Sequence, residues 1–432
     1  MKTKVQVVFP ATPPERPSWP YIGYDVQKRS REITAFLRER LPDFDFSPLV
    51  LYNAQEAERA AAESQGAFDG YLVYMTAMWN GVAETYARQA RPVVIADELY
   101  AGSGGFLRAS ALIHQEKLPV VEVASSDPQD LIDAIRLFGV MKKMRESKII
   151  VVSDAPELPL ATPTKELFGT ELVPMRSAEL KSYYDKADEE EARFWQRKWM
   201  EEALKVVEPD AEEILRSARM YLALKTALQD AKAEAITVDC LGLYYGGKLP
   251  AYPCLGFFQL NNEGLTGVCE ADVESTITQL LIRYLAGRPG YVSDPVIDTA
   301  SNQIIYAHCV ATNRVFGPEG LRNPYIIRSH AEDRRGAAIQ SLLPLGKTVT
   351  TAKVSIRHKA FAIHTAKAVA NVEEDKACRT KLAAQVDVAK LLRNYRFDIF
   401  SWHRVTCYGD WRKQLLNLAT LYGLQIFEED RG

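Results

Sequence analysis

Two carboxylates and a late imidazole are the groups in this chain whose types and order could do chemistry. Glu270 lies in Gly267-Val268-Cys269-Glu270-Ala271-Asp272, Asp294 in Tyr291-Val292-Ser293-Asp294-Pro295, and His403 in Trp402-His403-Arg404-Val405-Thr406-Cys407-Tyr408-Gly409-Asp410. Two acids at strand ends with one imidazole form an oxygen-rich donor set suited to a hard divalent ion such as Mn2+. The same acids could then move protons on a substrate held beside the ion, which is what aldose–ketose isomerisation requires. Each residue also has a structural reading. Glu270 ends a predicted strand before a helix, where side chains of open α/β domains point into a binding crevice; a helix cap or an arginine partner would account for it equally. Asp294 precedes Pro295, which favours extended backbone, and by itself it reads as a turn aspartate.

Other candidates are open in the same way. His308 lies in Tyr306-Ala307-His308-Cys309-Val310-Ala311, apolar surroundings that suit a core histidine as well as a residue lining a site. Arg328 and His330 are one residue apart, so in extended backbone they share a face. They could hold substrate oxygens, or an anionic group through the guanidinium; with Glu332, Asp333, Arg334 and Arg335 beside them they could equally form a charged loop. His114 and His358 fall in segments that read as exposed surface. Ala101-Gly102-Ser103-Gly104-Gly105-Phe106 does not match GxGxxG and reads as a flexible turn.

The elements that must position these groups follow from length and patterning. A chain of 432 residues is expected to hold two or three domains. Hydrophobic content of 47% and charged content of 25% describe a soluble globular protein. With 53 basic and 56 acidic residues, the charge of -3 gives no nucleic-acid footprint. No apolar run approaches the roughly 18 residues of a membrane span. The apolar start is short and cut by Pro10, so it reads as a first strand and not a signal peptide. Six cysteines without a CxxC pair read as buried free thiols, and a cytoplasmic location follows as the expectation.

Residues 1–146 alternate short apolar strands (Lys4–Phe9, Ser47–Tyr52, Gly70–Met75, Pro92–Ala96, Pro119–Ala124) with helical patterns, among them Asp25–Leu41 and Asp127–Arg145. That alternation predicts a parallel sheet covered on both faces, flavodoxin-like or Rossmann-like. Lys148–Ser153 restarts the pattern for a second α/β domain, 147–287. Within it a charged helix carries Trp195 and Trp199 on one packed stripe, and a helix with apolar spacing follows Glu270. Beyond Arg288 short strands separated by turns predict a mostly antiparallel β domain, 288–432, barrel-like in form.

A resemblance joins these pieces. Leu249-Pro250-Ala251-Tyr252-Pro253-Cys254, Leu260-Asn261-Asn262-Glu263-Gly264 and Cys269-Glu270-Ala271-Asp272 are followed by Gly287-Arg288-Pro289-Gly290, Ser293-Asp294-Pro295, Asp298, Asn302 and His308-Cys309. This order resembles the L-fucose isomerase and L-arabinose isomerase superfamily, in particular its short L-fucose-isomerase-like proteins. Arg328-Ser329-His330, Gly346-Lys347-Thr348-Val349-Thr350 and Tyr408-Gly409-Asp410 resemble the same proteins. The match covers most of the second half; the first half matches in architecture only. Two departures stand out. Many relatives carry two adjacent histidines where this chain has Trp402-His403, and their His-Cys segment continues Gly-x-x-Pro where this one continues Val310-Ala311-Thr312-Asn313.

The resemblance implies two α/β domains followed by a C-terminal antiparallel β-barrel, and Mn2+ held by Glu270, Asp294 and His403. It also implies assembly into homo-trimers or homo-hexamers, and an aldose–ketose isomerase that turns over a monosaccharide through a cis-enediolate with Glu270 and Asp294 as catalytic acids. The arabinose branch adds a histidine after the second acid, here His308. Arg328, His330, Trp402 and Trp79 complete the expected substrate contacts, Trp79 as a stacking residue supplied by a neighbour's first domain. Two other readings stand beside this one: an isomerase or epimerase of a carboxylated, phosphorylated or sulfonated sugar, and a non-catalytic sugar-binding protein.

Overall fold

The computed structural model describes residues 2–13 and 19–431. Packing divides the chain into two compact units, one of Met1–Lys143 with Lys413–Gln425, the other of Met144–Arg412 with Ile426–Gly432. The expected stretch 1–146 thus supplies most of the first unit. The stretch 147–287 and most of 288–432 share the second.

In the first unit β1 (Thr3–Pro10), β2 (Phe44–Leu51), β3 (Gly70–Met75), β4 (Val93–Asp97) and β5 (Val120–Val123) form a sheet in the order β2-β1-β3-β4-β5. All its ladders are parallel. This is the flavodoxin-like doubly wound order. β3 and β4 are buried along their whole length, as strands covered on both faces must be. The helices Val26–Arg40 and Ala54–Glu63 begin at Asp25 and Asn53, whose side chains accept from the backbone N–H three residues on. Ala101–Phe106 is not a flexible turn. The helix Ser103–Glu116 starts there, and Ser103 donates from Oγ to Asp97 Oδ2 at 2.7 Å. The glycines serve close packing: a Cβ on Gly102 would lie 2.0 Å from the Met75 carbonyl oxygen.

The second unit opens with β6 (Lys148–Val152) and β7 (Glu171–Met175); β8 (Lys205–Val206), β9 (Ala235–Val238) and β10 (Thr266–Cys269) follow. Four of these make a parallel sheet in the order β10-β9-β6-β7. The charged helix Glu189–Glu202 buries Trp195 and Trp199 against Tyr221, with ring centroids 5.0 and 5.9 Å apart, so one aromatic stripe anchors an otherwise solvated helix.

The remaining strands are β11 (Tyr291–Asp298), β12 (Gln303–His308), β13 (Tyr325–Arg328), β14 (Ala338–Ser341), β15 (Thr348–Ser355), β16 (Ala360–Asn371), β17 (Thr380–Gln385), β18 (Arg404–Tyr408) and β19 (Gln425–Glu428). β8, β13 and β14 form a small sheet. A seven-stranded sheet runs β15-β18-β11-β12-β17-β16-β19, and β16 also pairs back to β15. The ladders among its first six strands are antiparallel. Two short helices, Val388–Asn394 and Phe397–Phe400, interrupt a region that reads as strands and turns. No helix among the described residues is long and apolar enough to cross a membrane.

Candidate active site and cation centre

The site forms where three neighbouring strands of the large sheet meet the end of the parallel sheet. β12, β11 and β18 lie side by side, with Asp294 opposite Ala307 and Ser293 opposite Arg404. That register brings together Asp294 on β11, His308 at the end of β12, and His403 just ahead of β18. Glu270 arrives from the turn between β10 and the helix Val273–Ala286. Glu270 and Ala271 have φ of 65° and 51°, a left-handed conformation that costs about 1–3 kcal/mol at each non-glycine residue. The turn is held in place: Ala271 N donates to the Val238 carbonyl at 2.9 Å, and Asp272 caps the helix by accepting from Ser275 N at 2.8 Å. Strain of this kind concentrates at functional sites.

Distances within the cluster are short. His403 Nε2 lies 3.1 Å from Asp294 Oδ1 and 3.5 Å from Glu270 Oε2. His308 Nε2 lies 3.9 Å from Glu270 Oε1, and the two imidazole centroids are 5.8 Å apart. His308 is therefore not packed away in apolar core; the residue is 2% exposed, yet its ring faces the acids. One donor atom each from Glu270, His308 and His403 lies within 4.8 Å of the others. Among the described residues this is the one such group of metal-ligating side chains. Both ring nitrogens of His308 are buried without a hydrogen-bond partner. Buried polar atoms are normally satisfied, so these orphaned atoms, with the mixed carboxylate–imidazole chemistry, fit a divalent cation.

Electrostatics separates the two acids. Partial burial raises Glu270, and the charges of Asp294 and Asp272 raise it further, against a lowering by His403. Burial also raises Asp294, but the His403 hydrogen bond and the charges of His308 and His403 outweigh it and hold Asp294 below the usual range. Burial pushes His308 down to about 4, so it presents a neutral imidazole at pH 7. His403 also loses by burial, yet hydrogen bonds from its ring to Asp272 and Asp294 push it up to about 10. A cation at its Nε2 would have to displace a proton.

Two contributors escape the sequence reading. Asp272 Oδ2 accepts from His403 Nδ1 at 2.9 Å, which leaves Nε2 turned toward Glu270 and Asp294. Lys353 on β15 donates to the same oxygen at 2.7 Å. Asp272 stands in the Cys269-Glu270-Ala271-Asp272 motif, where its type and position alone give it no role. Lys353 is a lone charge in an apolar strand, a signal that was there to be read. Cys378 is a third neighbour, with Sγ 3.9 Å from Asp294 Oδ2.

The other expected contacts scatter. His330 is buried; it stacks on Tyr252 with centroids 4.6 Å apart and leaves Nδ1 unpartnered. Trp402 is 50% exposed and donates from Nε1 to the Pro295 carbonyl at 3.1 Å, next to Asp294. Arg328 is committed elsewhere: its guanidinium grips Glu208 at 2.6–2.9 Å and reaches Gln340 and Asp375, none of them in the acid cluster. Trp79 lies in the first unit beyond the end of β3 and is 64% exposed. The six cysteines are free thiols, five of them buried.

No known family profile matches the chain. Among curated proteins it is similar to the sulfoquinovose isomerases of Priestia aryabhattai and Priestia megaterium. In each case it is 24% identical over 313 residues, which cover 68% of this chain and 67% of the relative. The chain is thus similar to sugar isomerases over two thirds of its length, and the acid–imidazole cluster is the site through which that similarity has to be tested.

Proposed function

We propose that this chain is an enzyme, an aldose–ketose isomerase acting on a monosaccharide with one divalent cation, Mn2+ by donor type, held by Glu270, Asp294 and His403 with His308 beside them. The observation that carries the reading is the convergence of two acids and two imidazoles in one cluster, with the buried ring nitrogens of His308 left unpartnered there. A bound divalent ion supplies the positive charge that polarises a sugar carbonyl and stabilises an enediolate. Glu270 is the more accessible acid, 37% exposed, and its raised proton affinity suits it to take the proton from C2 and return one to C1. Asp294 stays ionised and accepts protons from the sugar hydroxyls. Asp272 fixes the His403 ring, and the half-exposed face of Trp402 beside Asp294 offers an apolar wall to the sugar. The same reading includes a closed barrel as the platform, a cytoplasmic location, and a trimer or hexamer.

A sulfonated sugar is the second reading of the substrate, favoured by the similarity to proteins named sulfoquinovose isomerase. Arg328 is paired with Glu208 and would have to leave that carboxylate to serve as its anion anchor. The test is a product analysis by NMR in D2O, with neutral aldoses and their C6-sulfonated analogues offered to Mn2+-loaded protein. A ketose carrying solvent deuterium at C1 supports the isomerase. An inverted aldose would make it an epimerase, and binding without turnover would make it a sugar-binding protein.

A further inference from the structure

Lys353 occupies a position where a charge is costly. It lies on β15, where every side chain from Val349 to Ser355 is buried, and is itself 1% exposed. An ammonium taken out of water needs partners for its N–H groups. It finds Asp272 Oδ2 at 2.7 Å and Ser275 Oγ at 2.6 Å. Ser275 also donates from Oγ to Asp272 Oδ2 at 2.7 Å and from its backbone N to Oδ1 at 2.8 Å. The Asp272 carboxylate is thereby held from two sides before it meets the His403 ring.

Helix capping does not explain this lysine. Asp25, Asp188, Asp210 and Asp387 cap helices in this chain by accepting from backbone N–H, and all four are exposed. Asp272 differs in having a second task, since its Oδ2 also takes His403 Nδ1. The placement of Lys353 suits that task. β15 is the hydrogen-bonded neighbour of β18, with Ala352 opposite Val405, so Lys353 ties the helix cap to the strand adjoining the His403 segment. We infer that Lys353 is a positioning residue: with Ser275 it holds Asp272 so that Oδ2 takes the Nδ1 proton of His403 and Nε2 faces Glu270 and Asp294. That orientation belongs to the protein alone; its use in cation binding rests on the functional reading above.

The experiment reads the His403 Nδ1–H directly. In metal-free, full-length protein a hydrogen-bonded ring N–H gives a downfield proton resonance, assigned by its loss in His403→Gln. It is expected in the wild type, lost or exchange-broadened in Lys353→Met, and retained in Lys353→Arg, which keeps the charge. Lys353→Gln, which keeps a donor without the charge, is read in the same way should the methionine variant not fold. A second arm titrates Mn2+ by electron paramagnetic resonance. Lys353→Met is expected to weaken binding by about 10–100-fold when Asp272 is present, and by less than about threefold in an Asp272→Asn background. No downfield resonance in the wild type, an unchanged resonance in both uncharged variants, or equal losses in the two backgrounds would overturn the inference. If the wild type binds no Mn2+, the functional reading fails, and the resonance still decides the role of Lys353.

Discussion

Acidification should loosen the second unit through one carboxylate. Glu429 is buried; its Oε1 accepts from Arg404 Nη2 at 2.7 Å, and its Oε2 lies 2.8 Å from His364 Nδ1. His364 Nε2 in turn meets Tyr306 OH at 2.7 Å. Burial pushes Glu429 up, but the Arg404 charge and the His364 hydrogen bond and charge outweigh it and hold the carboxyl at about 2, against 4.5 for the free group. A depressed folded-state value contributes stability that is complete above the unfolded value and is lost as pH falls toward the folded one. The window therefore runs from about pH 5 down to about pH 2. At 1.36 kcal/mol per unit the contribution is about 3 kcal/mol at pH 7, and about 1 kcal/mol of it is gone at pH 4. Glu429→Gln removes this contribution and leaves Arg404 and His364 short of a partner, so it should cost about 3–5 kcal/mol at pH 7. Urea unfolding of both proteins at pH 7, 5 and 4 measures the gap. It should narrow by about 1 kcal/mol between pH 5 and pH 4. A gap under about 1 kcal/mol at pH 7, or one that does not change with pH, would refute the reasoning.

Three further outcomes are expected. His308→Ala should weaken Mn2+ binding by about 10–100-fold, read by calorimetry on metal-stripped protein, since it removes a neutral imidazole that faces Glu270. Arg328→Ala should leave the kcat/KM ratio between a sulfonated aldose and its neutral analogue unchanged while lowering the unfolding midpoint, because the guanidinium is committed to Glu208; a collapse of the ratio would return Arg328 to the substrate. Light scattering should give a trimer or larger, and Trp79→Ala should raise KM more than it lowers kcat; a fully active monomer would end that part of the proposal.

Much of the first unit was legible because its strands are short, apolar and regularly spaced, a pattern that predicts a parallel sheet covered on both faces but leaves the strand order open between flavodoxin-like and Rossmann-like forms. β7 was not, because Glu-Leu-Val-Pro-Met carries a proline that argues against a strand. The helix Ser103–Glu116 was hidden by glycines that suggest looseness and in fact permit close packing. At the site, residue type and order brought Glu270, Asp294, His308 and His403 into view. Their convergence depends on strand register and on two left-handed residues, and neither is visible in a linear pattern. Arg328 shows the opposite limit. Its spacing from His330 suggested a shared face, but its partner Glu208 lies 120 positions away in the chain, beyond the reach of local reading.

The most direct measurement is a paired titration. Metal-stripped wild type and Glu270→Gln receive Mn2+ in steps, and bound ion and ketose formation from an active aldose are followed together. In the wild type, turnover should appear in proportion to one bound ion per chain. In Glu270→Gln the ion should bind more weakly, and turnover should fall by at least about 100-fold even at saturating metal. Full turnover in the chelated wild type, or wild-type binding and rate in Glu270→Gln, would contradict the assignment of this cluster as the centre of the reaction.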